Sequence, residues 1–575
     1  MVTVPVGQDR PSELERERPW LKHYDRGVPH TLDYPRVPVQ QILIDTARRF
    51  PSHTAAIFFG ARLTYRQLDA LSNRFANALI GMGIEKGDRV QLHLPNCPQF
   101  VIALFGILKA GAVAVPTNPL YVERELEQQV NDSGAETIVT LTRFYPTVKR
   151  IWSRTKLNNI IVTNIKDYFP PLTRLLFTLF KEKSEGHAVA IDRASGSYAW
   201  SELLNRYSDT LPMVDVQPED VAALIYTGGT TGIPKGAMLT HASLMANTRQ
   251  LSALDPELVE GKETMFAIMP FFHSYGLTGV MLQSIANAMT LIIMPRFQID
   301  EVLKAIDKYK PTYFLGVPTI YFAINSAPDV DRYDIRSIKV CVSAAAPLPA
   351  EMVERFESLT GGHLVEGYGL TEASPAAIIN PIYGRRKIGS IGVPIPDTEA
   401  RIVDVETGEK EMPIGEPGEL ILRGPQVMKG YWNNPEETAL VLRNGWLHTG
   451  DIAKRDEDGY FYMVDRKKDM IIAGGYNIYP HDIEEVLHQH PKVKEAVVVG
   501  VPDKYRGETV KAYIVLKDGE TATEQEMLDY CAANLAKYKA PKIVEFRPEL
   551  PKTIIGKVLR RALAEEEKSK SGLQR

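Results

Sequence analysis

The chain has 575 residues, 44% of them hydrophobic and 24% charged, and 67 Lys and Arg against 71 Asp and Glu leave a net charge of −4. This is the composition of a globular protein large enough for several subdomains, with no basic excess to point to nucleic acid. Cys97, Cys341 and Cys531 are too far apart for a disulfide framework or a zinc spacing, which predicts a reducing compartment.

The first twenty residues, MVTVPVGQDRPSELERERPW, are charged and lack the apolar stretch of a secretory signal. LTYRQLDALSNRFANALIGMGI then spaces its apolar residues three and four apart, predicting an amphipathic helix, and DRVQLHL reads as a strand. The apolar run from Val101 to Val115 is broken by Lys109 and closed by Pro116. It falls short of the about 20 residues a bilayer span needs, so a buried helix running into a strand is expected. PPLTRLLFTLFK puts Leu172, Leu175, Leu176, Leu179 and Phe180 on one helical face. Two readings stand for it: a surface helix docked on the core, the favoured one, and a membrane-surface or acyl-entry helix. Helix and strand patterns alternate again through 295–345, predicting α/β layers with largely parallel sheet. After Gly389 short strands broken by Gly and Pro (GSIGVPIP, ARIVDV, GELILRG) predict a small β-rich subdomain. DRKKDMIIAGGYNIYP opens a last unit with its own helices and strands. The expected architecture is α/β, with a large multi-subdomain N-terminal domain over 1–464 and a small mobile α+β C-terminal domain over 465–575.

Five stretches carry chemistry. YTGGTTGIPKG (226–236) follows the apolar strand DVAALI and is expected to lead into a helix near Thr240. Glycines let backbone N–H groups approach an anion, and threonine hydroxyls and a lysine add donors and charge. It is not a P-loop, because Pro234 precedes Lys235 and no Ser or Thr follows it. In EGYGLTEASP (366–375), Tyr368 between two glycines could stack on a base. Glu372 there suggests Mg²⁺, since a carboxylate near phosphates needs an intervening cation. HTGDIA (448–453) sets Asp451 after a glycine at the head of a strand, suited to ribose hydroxyls, and DRKKD offers Arg466 to the same sugar or a phosphate. PKTIIGKVLRR (551–561) carries Lys557 after a glycine. Taken singly, four of them have a plain alternative: a flexible turn for the first, a packed tyrosine for Tyr368, a solvated charge run for DRKKD and a solvated lysine for Lys557.

In order, YTGGTTGIPKG, MPFFHSYG (269–276), SAAAPLP (343–349), EGYGLTEASP, HTGDIA, DRKKDMIIAGGYNIYP and PKTIIGKVLRR resemble the acyl-adenylate-forming (AMP-binding) superfamily from about residue 40 to about 565. The resemblance extends most closely to bacterial long-chain fatty acyl-CoA synthetases, through the PWLKHY leader and the apolar 168–180 segment. It implies that Thr227, Gly228, Gly229, Thr230, Thr231, Gly232 and Lys235 position pyrophosphate. Tyr368 and the backbone at Ala345 and Ala346 would hold adenine. Thr371 would contact the α-phosphate, Glu372 would hold Mg²⁺, and Asp451 and Arg466 would hold the ribose. Lys557 would bridge carboxylate and α-phosphate, Lys468 would be the hinge within 465–469, and Gly474 and Gly475 would face CoA. His273 would stand at an acyl-tunnel mouth, with a packing histidine as the equal alternative. Ala344 stands where many relatives carry glycine.

The implied reaction is ATP-dependent activation of a long-chain fatty acid to acyl-AMP and transfer to CoA. Three alternatives stay open: an adenylating enzyme for a medium-chain or aryl acid, a luciferase-like oxygenase and a non-catalytic nucleotide-binding scaffold. Phe271, Phe272, His273 and Ser274 include no acid to pair with an amino acid's ammonium, which argues against a peptide-synthetase adenylation domain. Fatty acid, ATP and CoA are the expected partners, with no nucleic acid. Peripheral membrane contact through 168–180 and a homodimer are entertained. The expected location is cytoplasmic, extending to the inner membrane face.

Overall fold

The computed structural model describes residues 18–193, 196–227, 234–467, 469–473, 476–503, 507–535, 537, 539–552 and 558–570. The chain divides into two compact units: Met1–Glu399 with Arg423–Leu447, and Ala400–Leu422 with His448–Arg575.

The first unit is built on two large sheets. The nine-stranded sheet has a parallel centre, in which Thr290–Ile293, Thr264–Ala267, Tyr313–Gly316, Val340–Ser343 and His363–Gly369 lie side by side. Ala376–Ile379 and Val393–Pro394 close one edge antiparallel. In the seven-stranded sheet, Asn159–Thr163, Thr137–Leu141, Arg89–His93, Val113–Pro116 and Val221–Thr227 are parallel, and Lys235–Thr240 is antiparallel at the edge. Parallel strands need long crossovers, and the alternating helices of the sequence supply them.

The helix expected from LTYRQLDALSNRFANALIGMGI spans Tyr65–Gly81. Thr64 caps it reciprocally with Gln67: Gln67 N–H donates to Thr64 Oγ1 (3.3 Å) and Thr64 N–H to Gln67 Oε1 (2.9 Å). It lies on the wholly buried helix Pro98–Lys109. The two approach so closely that a Cβ at Gly106 would stand 2.6 Å from Phe75 Cδ1. Lys109, the charge inside the apolar run, ends in a polar nest: its ammonium donates to Asp69 Oδ1 (2.5 Å), Asn73 Oδ1 (2.7 Å) and Ser72 Oγ (2.8 Å). A buried ammonium is tolerated when it is paired and hydrogen-bonded in this way.

The segment Pro171–Phe180 is a helix, as expected, but the docked reading of its apolar face is wrong. Leu172, Leu175, Leu176, Leu179 and Phe180 are 48–73% exposed. Phe177, on the opposite side, is the buried anchor, with its ring edge-on to Phe169 at 5.4 Å and near His187 at 5.8 Å. Among the described residues no helix is long and apolar enough to cross a membrane.

GSIGVPIP, expected to open the β-rich subdomain, belongs instead to the first unit, where Val393–Pro394 is an edge strand. The second unit holds the β-rich stretches Ala400–Leu422 and residues 448–466, and the final α+β segment. In the latter, Val493–Asp503 and Gly507–Leu516 form a long antiparallel pair. Ile543–Phe546 adds in parallel to Gly507–Leu516, and the helices Pro480–His488 and Glu524–Asn534 close a core that includes Ile483, Leu487, Val498, Ile514 and Met527.

Candidate active site

Val221–Thr227 and Lys235–Thr240 form a hairpin in which Thr227 pairs with Lys235 and Tyr226 with Gly236. The expected order of strand, loop and helix is therefore corrected to strand, loop and strand. The helix His241–Ala253 does begin near Thr240, as expected, and the Thr240 side chain accepts from Ser243 N–H at 3.0 Å; what the expectation lacked is the strand before it. At about 3.4 Å per residue the intervening strand removes that helix N-terminus by about 20 Å from Lys235, beyond the reach of its dipole. Thr227 and Lys235 stand as cross-strand neighbours at the hairpin mouth. Gly228, Gly229, Thr230, Thr231 and Gly232 lie outside the described residues.

The Lys235 side chain is 8% exposed; its ammonium pairs with the Glu437 carboxylate and lies 5.5 Å from the centre of the Tyr431 ring. The Tyr431 hydroxyl donates to Glu372 Oε1 at 2.7 Å. Tyr431 thus links two residues that the sequence singled out separately, Lys235 by its ring and Glu372 by its hydroxyl. Burial, reinforced by the Glu372 charge, pushes its phenol far above the ordinary range, so it remains a donor at working pH.

Beside this row, Val340–Ser343 and His363–Gly369 run parallel, with Ser343 opposite Glu366. Past Ser343 the chain turns through exposed Ala345 at φ 75°, a conformation that favours glycine. Leu348 N–H, three residues on, donates to Glu366 Oε1 (3.2 Å), so the turn carrying Ala345 and Ala346 is tied to the strand carrying Tyr368. Burial raises the Glu366 carboxyl to about 7, against the lowering effect of the Leu348 and Gly389 amides. Tyr368 is half-buried and pairs with Ile378 on the neighbouring strand. Thr371 Oγ1 shares a 3.2 Å hydrogen bond with Ser274 Oγ, and both are buried.

Ser274 follows His273. His273 Nδ1 accepts from Tyr275 N–H (3.2 Å), which leaves the proton of the neutral ring on Nε2. Phe271 N–H donates to Asn96 Oδ1 (2.8 Å), which fixes the start of this stretch. Tyr275–Leu282 is a π-helix, a wide turn frequent at functional sites. Gly276 is required at its start, because a Cβ there would fall 2.0 Å from the Pro270 carbonyl oxygen.

In the second unit Asp451 is the sixth of ten residues in the strand Trp446–Arg455, not at a strand head as expected. It pairs with Arg466 across the antiparallel ladder, and Arg466 Nε lies 3.4 Å from Asp451 Oδ1. Lys468, Gly474, Gly475 and Lys557 lie outside the described residues. Among the described residues no cluster of three or more His, Cys, Asp or Glu could hold a metal alone.

Within the first unit Lys235 and Glu372 thus come together, Thr371 joins the His273 stretch, and the Ala345 turn is tied to the Tyr368 strand. Tyr431 and Glu437 were missed by sequence reasoning. They belong to GYWNNPEET, whose only local signal is Asn434 before a proline-initiated helix.

The fold is α/β, and comparison with known proteins gives its class. The AMP-binding enzyme family model matches residues 43–432 and the AMP-binding enzyme C-terminal domain matches 482–557. The chain belongs to the AMP-binding enzyme family. It is 48% identical over 557 residues to a long-chain-fatty-acid–CoA ligase of Bacillus subtilis, covering 96% of this chain and 99% of the relative. It is 40% identical over 559 residues to the long-chain-fatty-acid–CoA ligase of an Escherichia coli strain, covering 96% and 98%. Among solved structures, the anthranilate CoA ligase AuaEII in complex with anthranoyl-AMP matches with a TM-score of 0.82 at 29% identity, covering 94% of this chain and 99% of that one.

Proposed function

We propose that this chain converts a long-chain fatty acid and ATP to acyl-AMP and pyrophosphate, and then acyl-AMP and CoA to acyl-CoA and AMP. The observation that carries this reading is the full-length likeness to the Bacillus subtilis long-chain-fatty-acid–CoA ligase. A free carboxylate is a poor acyl donor, because its leaving group would be oxide. Attack by its oxygen on the α-phosphorus forms a P–O bond and breaks the bond to pyrophosphate. The CoA thiol then attacks the acyl carbon, its proton is lost, and AMP leaves.

Both reactants of the first step are anions, so catalysis is chiefly charge neutralisation and alignment. The assignments that serve it are Thr227, the glycines and threonines of 228–232 and Lys235 for the departing pyrophosphate, and Thr371 for the α-phosphate. The Ala345–Ala346 backbone and Tyr368 serve adenine, and Asp451 and Arg466 the ribose. Lys557 bridges carboxylate and α-phosphate, and Gly474 and Gly475 serve CoA. Glu372 fits Mg²⁺, which is ordinarily held by one or two carboxylates together with substrate phosphates and not by an all-protein cage. That ion supplies charge neutralisation on the phosphates. His273, with its Nδ1 engaged by Tyr275, is assigned to the acyl-chain entrance. The exposed apolar face of the helix Pro171–Phe180, flanked by exposed Arg174, Lys181 and Lys183, supports peripheral contact with the inner face of the cytoplasmic membrane. A homodimer rests on the family resemblance alone.

Pyrophosphate release is measured with saturated fatty acids of graded chain length and with anthranilate, each with and without CoA. The expected result is release driven best by long-chain acids, with acyl-CoA formed when CoA is present. Stimulation by anthranilate or an amino acid without a response to fatty acids would overturn the assignment.

A further inference from the structure

The Lys235 row carries an inference that rests on the assignment of Lys235 to pyrophosphate. Residues 428–432 run along the strand that begins with Lys235. Lys429 N–H donates to the Met238 carbonyl (2.9 Å), Met238 N–H to the Gly430 carbonyl (2.8 Å) and Trp432 N–H to the Gly236 carbonyl (2.8 Å). Met428 N–H reaches the Glu372 carbonyl at 2.8 Å. The chain then enters the helix Pro435–Val441. Its Glu437 N–H is capped by Asn434 Oδ1 (3.1 Å), and Thr438 Oγ1 accepts from Tyr431 N–H (2.9 Å). These bonds fix both the Tyr431 ring and the Glu437 carboxylate relative to the Lys235 backbone.

The Lys235 ammonium is therefore held in a prepared setting, with a carboxylate on it and an aromatic face beside it. A nine-tenths buried cation requires such compensation. The same carboxylate repels any phosphate that approaches the lysine. A highly charged phosphate chain can compete with one carboxylate for the ammonium, whereas a weakly charged anion cannot.

We propose that Glu437 is a positioning residue that holds Lys235 and weakens its grip on pyrophosphate, so that the first product leaves. Glu437 acts through Lys235 and makes no covalent step. Tyr431 is the spacer that keeps Lys235 and Glu372 on one face without letting them pair directly.

The test is calorimetric titration of the full chain with inorganic pyrophosphate and Mg²⁺, without an acid substrate, so that failure of the fatty acid assignment leaves it readable. Glu437→Gln should tighten pyrophosphate binding by about fivefold, the scale of one partly exposed ion pair. Its inhibition constant against ATP in the turnover assay should fall in parallel. In a Lys235→Ala background the same change should have no effect on binding. A merely structural role for Glu437 would not make its effect depend on Lys235. Unchanged or weaker binding by Glu437→Gln, or equal tightening with and without Lys235, overturns the proposal. Glu437→Ala, which removes the charge and adds no donor, replaces the glutamine variant if the latter fails to fold, with the same outcomes.

Discussion

Glu366 shows how one side chain can serve the site through the backbone. Its carboxyl is raised to about 7, chiefly by burial, while it accepts from Leu348 N–H and so ties the Ala345 turn to the Tyr368 strand. A folded carboxyl raised above its unfolded value of 4.5 binds more protons folded than unfolded between those limits. Its stabilising contribution is complete below about pH 4.5 and is lost as the pH rises through about 7. Glu366→Gln should therefore flatten that part of the stability profile. The variant should gain on the wild type between pH 5 and 8 by on the order of 3 kcal/mol, read by denaturant unfolding across pH. A profile identical to the wild type would show that Glu366 does not titrate in this range. Lys235, Glu372 and Tyr368 could be singled out in the sequence because unusual neighbours mark them: glycines, a proline, an acid beside a threonine. Glu437 and Tyr431 sit in an unremarkable stretch and acquire meaning only when residues 428–438 fold along the Lys235 strand, a pairing across about 200 residues that no local pattern encodes.

At the scale of elements, periodicity was a sound guide to helices and a poor one to their surroundings. The face Leu172, Leu175, Leu176, Leu179 and Phe180 was readable, but a single apolar face is compatible with a core or with a partner, and here the docked side is Phe177. The strand Lys235–Thr240 was missed for a related reason. KGAMLT is short, begins with a lysine and a glycine, and becomes a strand by pairing with Val221–Thr227. The π-helix Tyr275–Leu282 was equally out of reach, because its sequence, YGLTGVML, has no feature that separates it from an α-helix. The exposed face gives a direct test. Leu176→Glu should lower co-sedimentation with vesicles containing anionic lipid severalfold while changing stability by no more than about 0.5 kcal/mol, as for an exposed position. Phe177→Ala should do the reverse and cost about 3 kcal/mol or more locally, because it removes the buried anchor. Unchanged vesicle binding by Leu176→Glu would remove the membrane role of this helix.

At the scale of the whole molecule, the open question is alternation between two half-reactions. The sequence places a boundary at 464/465, whereas the compact unit that ends the chain also includes Ala400–Leu422 and residues 448–464. A hinge within 465–469 would act on the charges that surround it. Asp465 and Asp469, at its two ends, both reach the Arg560 guanidinium, at 3.2 and 3.5 Å, and Glu484 pairs with the same arginine. A turn about Lys468 would have to release Asp465 from Arg560 while Asp469 and Glu484 keep it. If Lys557 acts where negative charge concentrates, between the acid and the α-phosphate, Lys557→Ala should depress adenylation by about two orders of magnitude, the scale of one preorganised electrostatic stabiliser. Presynthesised acyl-AMP and CoA should still give acyl-CoA at close to the wild-type rate, because the thiol's attack does not need that charge. Lys468→Pro, which restricts the backbone at the hinge, should show the opposite bias, with adenylation largely kept and thioester formation impaired. Asp465→Asn should loosen the arrangement held by Arg560 and change the ratio of the two rates without abolishing either. Both half-reactions are measured separately for each variant by pyrophosphate release and by acyl-CoA formation from acyl-AMP. Equal losses in both for Lys557→Ala would leave it an ordinary binding or structural residue, and domain alternation would lose its support.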